Sequence, residues 1–119
     1  MKKPHALAAL AALAQDNRLD VFRLLVEAGP EGMAAGAVAN TLKLAPNALT
    51  FHLDRLREAG LVTVRRNGRS MIYAARYDTM NALLAYLTEN CCRGRAYECL
   101  PATIGKGART SARRREAVT

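Results

Sequence analysis

The chain has 119 residues, half of them hydrophobic and only six aromatic, with a formal net charge of +8. That length holds one modest core, which a partner subunit can help to bury, and no stretch reaches the ~18 apolar residues of a membrane span. The positive surplus makes a polyanion the first partner to consider.

The opening "MKKPHALAALAALAQ" has the lysines and short apolar run of a signal peptide. Alanine dominates the run, however, and Leu7, Leu10 and Leu13 recur at three-residue spacing, as on one face of a helix. A first helix from about Ala6 to Ala14 and a cytoplasmic chain are therefore expected. Asp16 or Asn17 can cap a second helix, whose Leu19, Phe22, Leu25 and Val26 form an apolar stripe before Gly29 and Pro30 stop it. A short third helix, Ala35 to Leu42, turns Val38 and Leu42 inward. Pro46 suits the first position of a fourth helix, which runs to Ala59 and ends at Gly60. Helix, three-residue turn, helix is the spacing of a helix-turn-helix.

At about 100° per residue, Leu49, Leu53 and Leu56 of the fourth helix face the core. Asn47, Ala48, Thr50, Phe51 and Arg55 become candidates for contact with double-stranded operator DNA. An outward Phe51 is odd on a plain surface helix. It suits a face that enters the major groove, where Asn47 can pair with adenine and an apolar ring can meet a thymine methyl. His52 sits roughly 65° from the core direction by the same geometry, at the boundary, and joins the DNA-contacting candidates.

In "LVTVRRNGRSMIYAA", two β-rich runs flank Asn67-Gly68, the signal for a two-residue hairpin turn. Pairing about that turn sets Arg66 opposite Arg69, with Arg65 close by. Like charges across a hairpin are unfavourable unless an anion lies between them, and a phosphate backbone is one. The hairpin reads as a basic wing.

A last helix begins near Asp78 or Thr79, with Met80, Leu84, Leu87 and Cys91 on one stripe and Leu83 beside it. A layer this small does not cover both that stripe and the leucines of the first helix. A homodimer paired through the first and last helices is expected, with Leu7, Leu10, Met80, Leu84 and Leu87 in the interface. The fold class is thus mostly α with a β-hairpin wing, a winged helix-turn-helix. It should occupy residues 1–92, with a cysteine-containing basic extension at 93–119. In that extension Lys106, Arg109, Arg113, Arg114 and Arg115 against Glu116 carry half of the net charge without an apolar period, so it reads as mobile.

"LAQDNRLDVFRLLVEAG", "ANTLKLAPNALTFHLDRLREAGLV" and "RRNGRSMIYAA" together resemble the ArsR/SmtB family of metal-responsive winged-helix repressors, over about Leu7 to Cys92. The resemblance implies a homodimer that sits on its operator and leaves when a toxic metal or metalloid binds. Two of the family's sensor sites have no counterpart. Ala34 and Gly36 stand where a Cys-x-Cys of the third helix would be, and Asp78 is the one residue matching the Asp and His ligands of the last helix. The recognition helix opens Ala45-Pro46-Asn47 rather than Ser-Gln-Ser. What remains is "NCCRGRAYEC", which holds all three cysteines and is similar to the arsenite-sensing branch. That similarity makes Cys91, Cys92 and Cys99 the ligands.

The chemistry of the cluster leaves alternatives open. Adjacent helical residues diverge by about 100°, so the chain must leave the helix near Gly94 for Cys91, Cys92 and Cys99 to converge. Arg93 and Arg95 favour thiolate. Three soft sulfurs suit As(III) or Sb(III) over hard cations; methylated trivalent arsenic, which needs two thiolates, stays open, as does a zinc or cadmium site that borrows a fourth ligand. A thiol-based redox switch is the rival. An odd cysteine count fits a reducing compartment better than a disulfide framework. No enzyme is expected, and no organic cofactor: there is no Cys-x-x-Cys, and His52 lies on the expected reading helix without an orienting group.

Overall fold

The computed structural model describes residues 1–94; residues 95–119, with Arg95, Cys99 and most of the basic extension, lie outside the described residues. Met1–Tyr86 form one compact unit, and a second begins at Leu87. The elements in order are α1 (Lys3–Leu13), α2 (Asp16–Ala28), β1 (Met33–Ala34), α3 (Ala35–Leu42), α4 (Pro46–Glu58), β2 (Val62–Asn67), β3 (Ser70–Ala75), α5 (Tyr77–Leu87) and α6 (Cys91–Gly94). Helices α3 and α4 with the β2–β3 hairpin make the expected winged helix-turn-helix.

Helix α1 carries Pro4 in its first turn and buries alanines, Ala6, Ala9 and Ala12, while Leu7 and Leu10 stay exposed at 58% and 39%. A helix that turns its small residues inward and its leucines outward has an apolar face left to cover. Helix α2 is capped one residue earlier than expected. The side chain of Gln15, not Asp16 or Asn17, accepts the Arg18 backbone N–H at 2.9 Å. Asp16 instead occupies the first turn, where its charge favours the helix dipole. Arg18 Nε donates to the Ala12 carbonyl at 2.7 Å and stitches the end of α1 to α2.

The core lies where α2, α3 and α4 meet. Val21, Leu25, Val38, Leu49, Leu53, Leu56 and Leu61 are its largest fully buried side chains. Helix α4 ends in a Schellman motif: Gly60 N–H donates to Arg57 O at 2.9 Å, Leu61 N–H to Leu56 O at 3.0 Å, and Gly60 has φ 78°. That cap turns Leu61 into the core and launches β2.

The sheet has the order β1-β3-β2, all antiparallel. Strand β1, which sequence periodicity could not reveal, pairs Met33 with Tyr73 and Ala34 with Ile72. Gly32 permits this approach: a Cβ there would collide with the Tyr73 carbonyl oxygen, and its φ is +77°.

The hairpin exists where expected, but its register differs. Asn67 pairs with Ser70 and Arg66 with Met71, so the two turn residues are Gly68 and Arg69. Gly68 takes φ 64° and Arg69 does not have positive φ, the pattern of a type II′ turn. This register sets Val62 against Ala75 and Val64 against Tyr73, and Arg76 N–H extends the ladder to Leu61 O at 2.8 Å. The expected Arg66–Arg69 like-charge pair is therefore corrected, and with it the inference drawn from that repulsion.

Helix α5 begins at Tyr77, whose hydroxyl donates to Val26 O at 2.9 Å, and it buries Leu83. Leu84 and Leu87 are exposed at 39% and 55%, and Met80 is half-buried against the core. The helix stops at Leu87. Asn90 adopts the left-handed region at φ 59°, so Cys91 does not continue the Met80–Leu84–Leu87 stripe as expected. Asparagine is among the few residues that enter that region readily.

Candidate nucleic-acid interface and the cysteine segment

Because Leu49, Leu53 and Leu56 anchor α4 on one side, its other side is presented outward, with Asn47, Ala48, Thr50, Phe51 and Arg55 all exposed. Asn47 Oδ1 accepts the Ala48 N–H at 2.9 Å, which leaves its amide hydrogens free to donate. Thr50 Oγ1 donates to Pro46 O at 3.0 Å, so its methyl group shares the outward side chain with a satisfied hydroxyl. Phe51 is 51% exposed. The Arg55 guanidinium lies 4.9 Å over its ring centroid and donates to Glu58 at 3.1 Å.

His52 departs from expectation. It is 9% exposed, and its Nδ1 is buried without a hydrogen-bond partner. Residues 49, 52, 53 and 56 form one i, i+3, i+4, i+7 set, and the stripe is wide enough to take in a residue that angle counting left at its edge. His52 thus packs against the core with its Nδ1 turned inward, deeper than the boundary position expected of it. Burial first, and then the nearby Arg18 charge, hold its pKa below the ordinary histidine value. Its ring meets Phe51 edge-on, 5.9 Å between centroids at 64°.

On the wing, Arg65, Arg66 and Arg69 are exposed, and none forms an ion pair among the described residues. Their settings differ. Arg65 donates to the Glu31 carbonyl at 2.8 Å and braces the strand against the loop before β1. Arg66 Nε donates to Gly68 O at 3.2 Å across the turn. Arg69 occupies the turn itself. Lys43, not singled out from the sequence, ends α3 in the left-handed region at φ 57° and is exposed just before α4. A lysine is an ordinary residue in a turn, so nothing in its neighbours marks it.

The second unit is described only to Gly94. Cys91 is disulfide-bonded there, and Cys92 is a free, half-buried thiol with its Sγ 3.5 Å from Cys91 Sγ. Cys92 and Arg93 both take left-handed backbone angles, at φ 55° and 59°, so the two sulfurs are not displayed by a regular helix. Among the described residues no three His, Cys, Asp or Glu side chains are grouped to hold a metal ion. Cys99, the third expected ligand, lies outside them.

A family model described as a helix-turn-helix domain matches residues 13–65. The nodulation protein NolR of Rhizobium meliloti is 35% identical over 80 residues, 67% of this chain and 63% of NolR's length, so the match spans under two thirds of that relative. The HTH-type transcriptional regulator YgaV of Escherichia coli is 30% identical over 87 residues, 73% of this chain and 86% of YgaV. The solved structure of an ArsR-like transcriptional regulator from Rhodococcus sp. RHA1 matches with a TM-score of 0.65 at 24% identity, over 80% of this chain and 84% of that one. No described helix is long and apolar enough to cross a membrane.

Proposed function

This chain belongs to the helix-turn-helix family of transcriptional regulators and has the winged fold of an ArsR-like one. From that premise we propose a homodimeric repressor that leaves its operator when As(III) or Sb(III) is held by the thiolates of Cys91, Cys92 and Cys99. The observation that carries the DNA-binding half is the outward side of α4, where Asn47, Ala48, Thr50, Phe51 and Arg55 stand over a core-facing leucine stripe. Arg65, Arg66, Arg69 and Lys43 supply cations for backbone phosphates, which fix register and orientation. The exposed Leu7, Leu10 and Leu84 support a partner surface on α1 and α5. A second copy of the chain meets that need with closed two-fold symmetry.

The metalloid half rests on donor chemistry. Two sulfurs 3.5 Å apart, with a third cysteine seven residues past the second, offer three soft ligands and no fourth. Such a set favours a trivalent metalloid over a four-coordinate structural zinc ion. Ligation at Cys91 requires its disulfide to be reduced, and that disulfide favours a second reading in which thiol oxidation itself releases DNA. In either case a coupling of ~1–3 kcal/mol between sensor and DNA face, roughly 5–150-fold in affinity, suffices to derepress a gene.

The test is a gel shift on duplexes selected by the reduced protein, titrated with arsenite, zinc, cadmium and peroxide. Cys91→Ser, Cys92→Ser and Cys99→Ser should each bind DNA normally and resist release by arsenite. Release of these variants at unchanged arsenite doses would reject the three-thiolate site. Release by peroxide and not by arsenite would transfer the function to the redox reading.

A further inference from the structure

Phe51 is a large apolar ring on an otherwise small or polar surface, half-exposed in the middle of α4, four residues from Asn47 on one side and from Arg55 on the other. Its surroundings limit how it can be used. The Arg55 guanidinium covers one ring face at 4.9 Å and is itself held by Glu58 at 3.1 Å. The buried His52 ring meets Phe51 at 64°, fixed from beneath by the core. A ring with a face occupied by a cation is not open to stack between bases, so what it offers to a groove is an apolar edge.

The major groove presents hydrogen-bond donors and acceptors at every base pair, and a single kind of apolar group, the C5-methyl of thymine. A phenyl edge against any other base would bury polar atoms without a partner, which is unfavourable. We propose that Phe51 is a specificity-determining residue that reads a thymine methyl in each operator half-site, positioned for it by His52 and Arg55. This rests on the reading of α4 as the DNA-reading helix. It goes further by assigning the contact to the ring edge left open by Arg55 and His52, and by making it the determinant of specificity in each half-site.

The loss of one methyl contact corresponds to about fourfold in affinity, and to about 16-fold for a dimer that makes the contact in both half-sites. The full-length protein is first used to select binding duplexes from a random pool. One selected duplex is then made with deoxyuridine in place of thymidine, which deletes the methyl and leaves base pairing intact. Ala48 and the Thr50 methyl face outward beside Phe51, so the readout is the difference between wild type and Phe51→Ala. The wild type should lose about 16-fold more affinity on the uracil duplex than Phe51→Ala does. Phe51→Leu should fall between them. The perturbation sits in the DNA, so misfolding of a variant cannot imitate the wild-type loss. Equal losses for wild type and Phe51→Ala would overturn the assignment while leaving DNA binding intact. Absence of any salt-dependent duplex binding would overturn the DNA-reading proposal, and this one with it.

Discussion

Replacing Arg69 by alanine isolates one cation of the wing. Arg69 sits in the β2–β3 turn, exposed and without an ion pair among the described residues, so its removal should leave the melting temperature unchanged. If its guanidinium neutralises one phosphate, the log–log dependence of affinity on salt becomes shallower by about 0.9 per protomer, hence about 1.8 for a dimer. Over a fourfold rise in salt, from about 50 to 200 mM, the wild type should therefore lose roughly 12-fold more affinity than Arg69→Ala. The effect should be similar on every duplex, because a phosphate contact carries no sequence information. Fluorescence anisotropy with a labelled duplex across a salt series measures both slopes. Parallel lines for the two proteins would refute the assignment of the wing to the phosphate backbone. Arg65→Ala differs in kind, because it also deletes the bond to the Glu31 carbonyl. It should lower the melting temperature as well as the slope.

Three other expectations follow from the geometry. Gly32→Ala forces a Cβ into the Tyr73 carbonyl oxygen at a φ of +77°, so thermal unfolding should show a destabilisation of about 2 kcal/mol or more. His52 has a folded-state pKa below its unfolded value, so the unfolded chain takes up the proton first. Stability should be fully present above about pH 6.5 and fall as the pH drops through the folded value, as urea midpoints at pH 7.5 and 5.5 would show; a His52→Leu variant whose midpoint falls as steeply would assign that limb elsewhere. Leu10→Asp and Leu84→Asp should shift sedimentation from dimer to monomer while circular dichroism stays helical, since both side chains are exposed in the single chain.

The candidate DNA-reading side was largely legible in the amino-acid order. Pro46 and Gly60 bracket α4, and the leucines at 49, 53 and 56 set its rotation; once those face the core, Asn47, Phe51 and Arg55 have one direction left. His52 escaped because its burial depends on how broadly α4 is covered by its neighbours, a property of the packed set rather than of the helix. The cysteine cluster was visible as a cluster, but not the end of α5 at Leu87 that separates Cys91 from the apolar stripe. A left-handed Asn90 is permitted by its side chain without being demanded by it.

What the chain order determined by itself is therefore the set of elements whose signals are local: the helix starts and stops, the apolar periods, and the presence of a hairpin near Asn67-Gly68. What the tertiary structure decided is where two distant segments had to agree. Strand β1 is two residues long and exists because Gly32 lets Met33 and Ala34 reach β3. The hairpin turn moved to Gly68-Arg69 although Asn67-Gly68 is the better local turn. Tyr73 is shared between Met33 and Val64, and Ala75 and Arg76 are matched to Val62 and Leu61. A turn preference acts on two residues, whereas a ladder and the core beneath it act on many at once, and the larger sum sets the register.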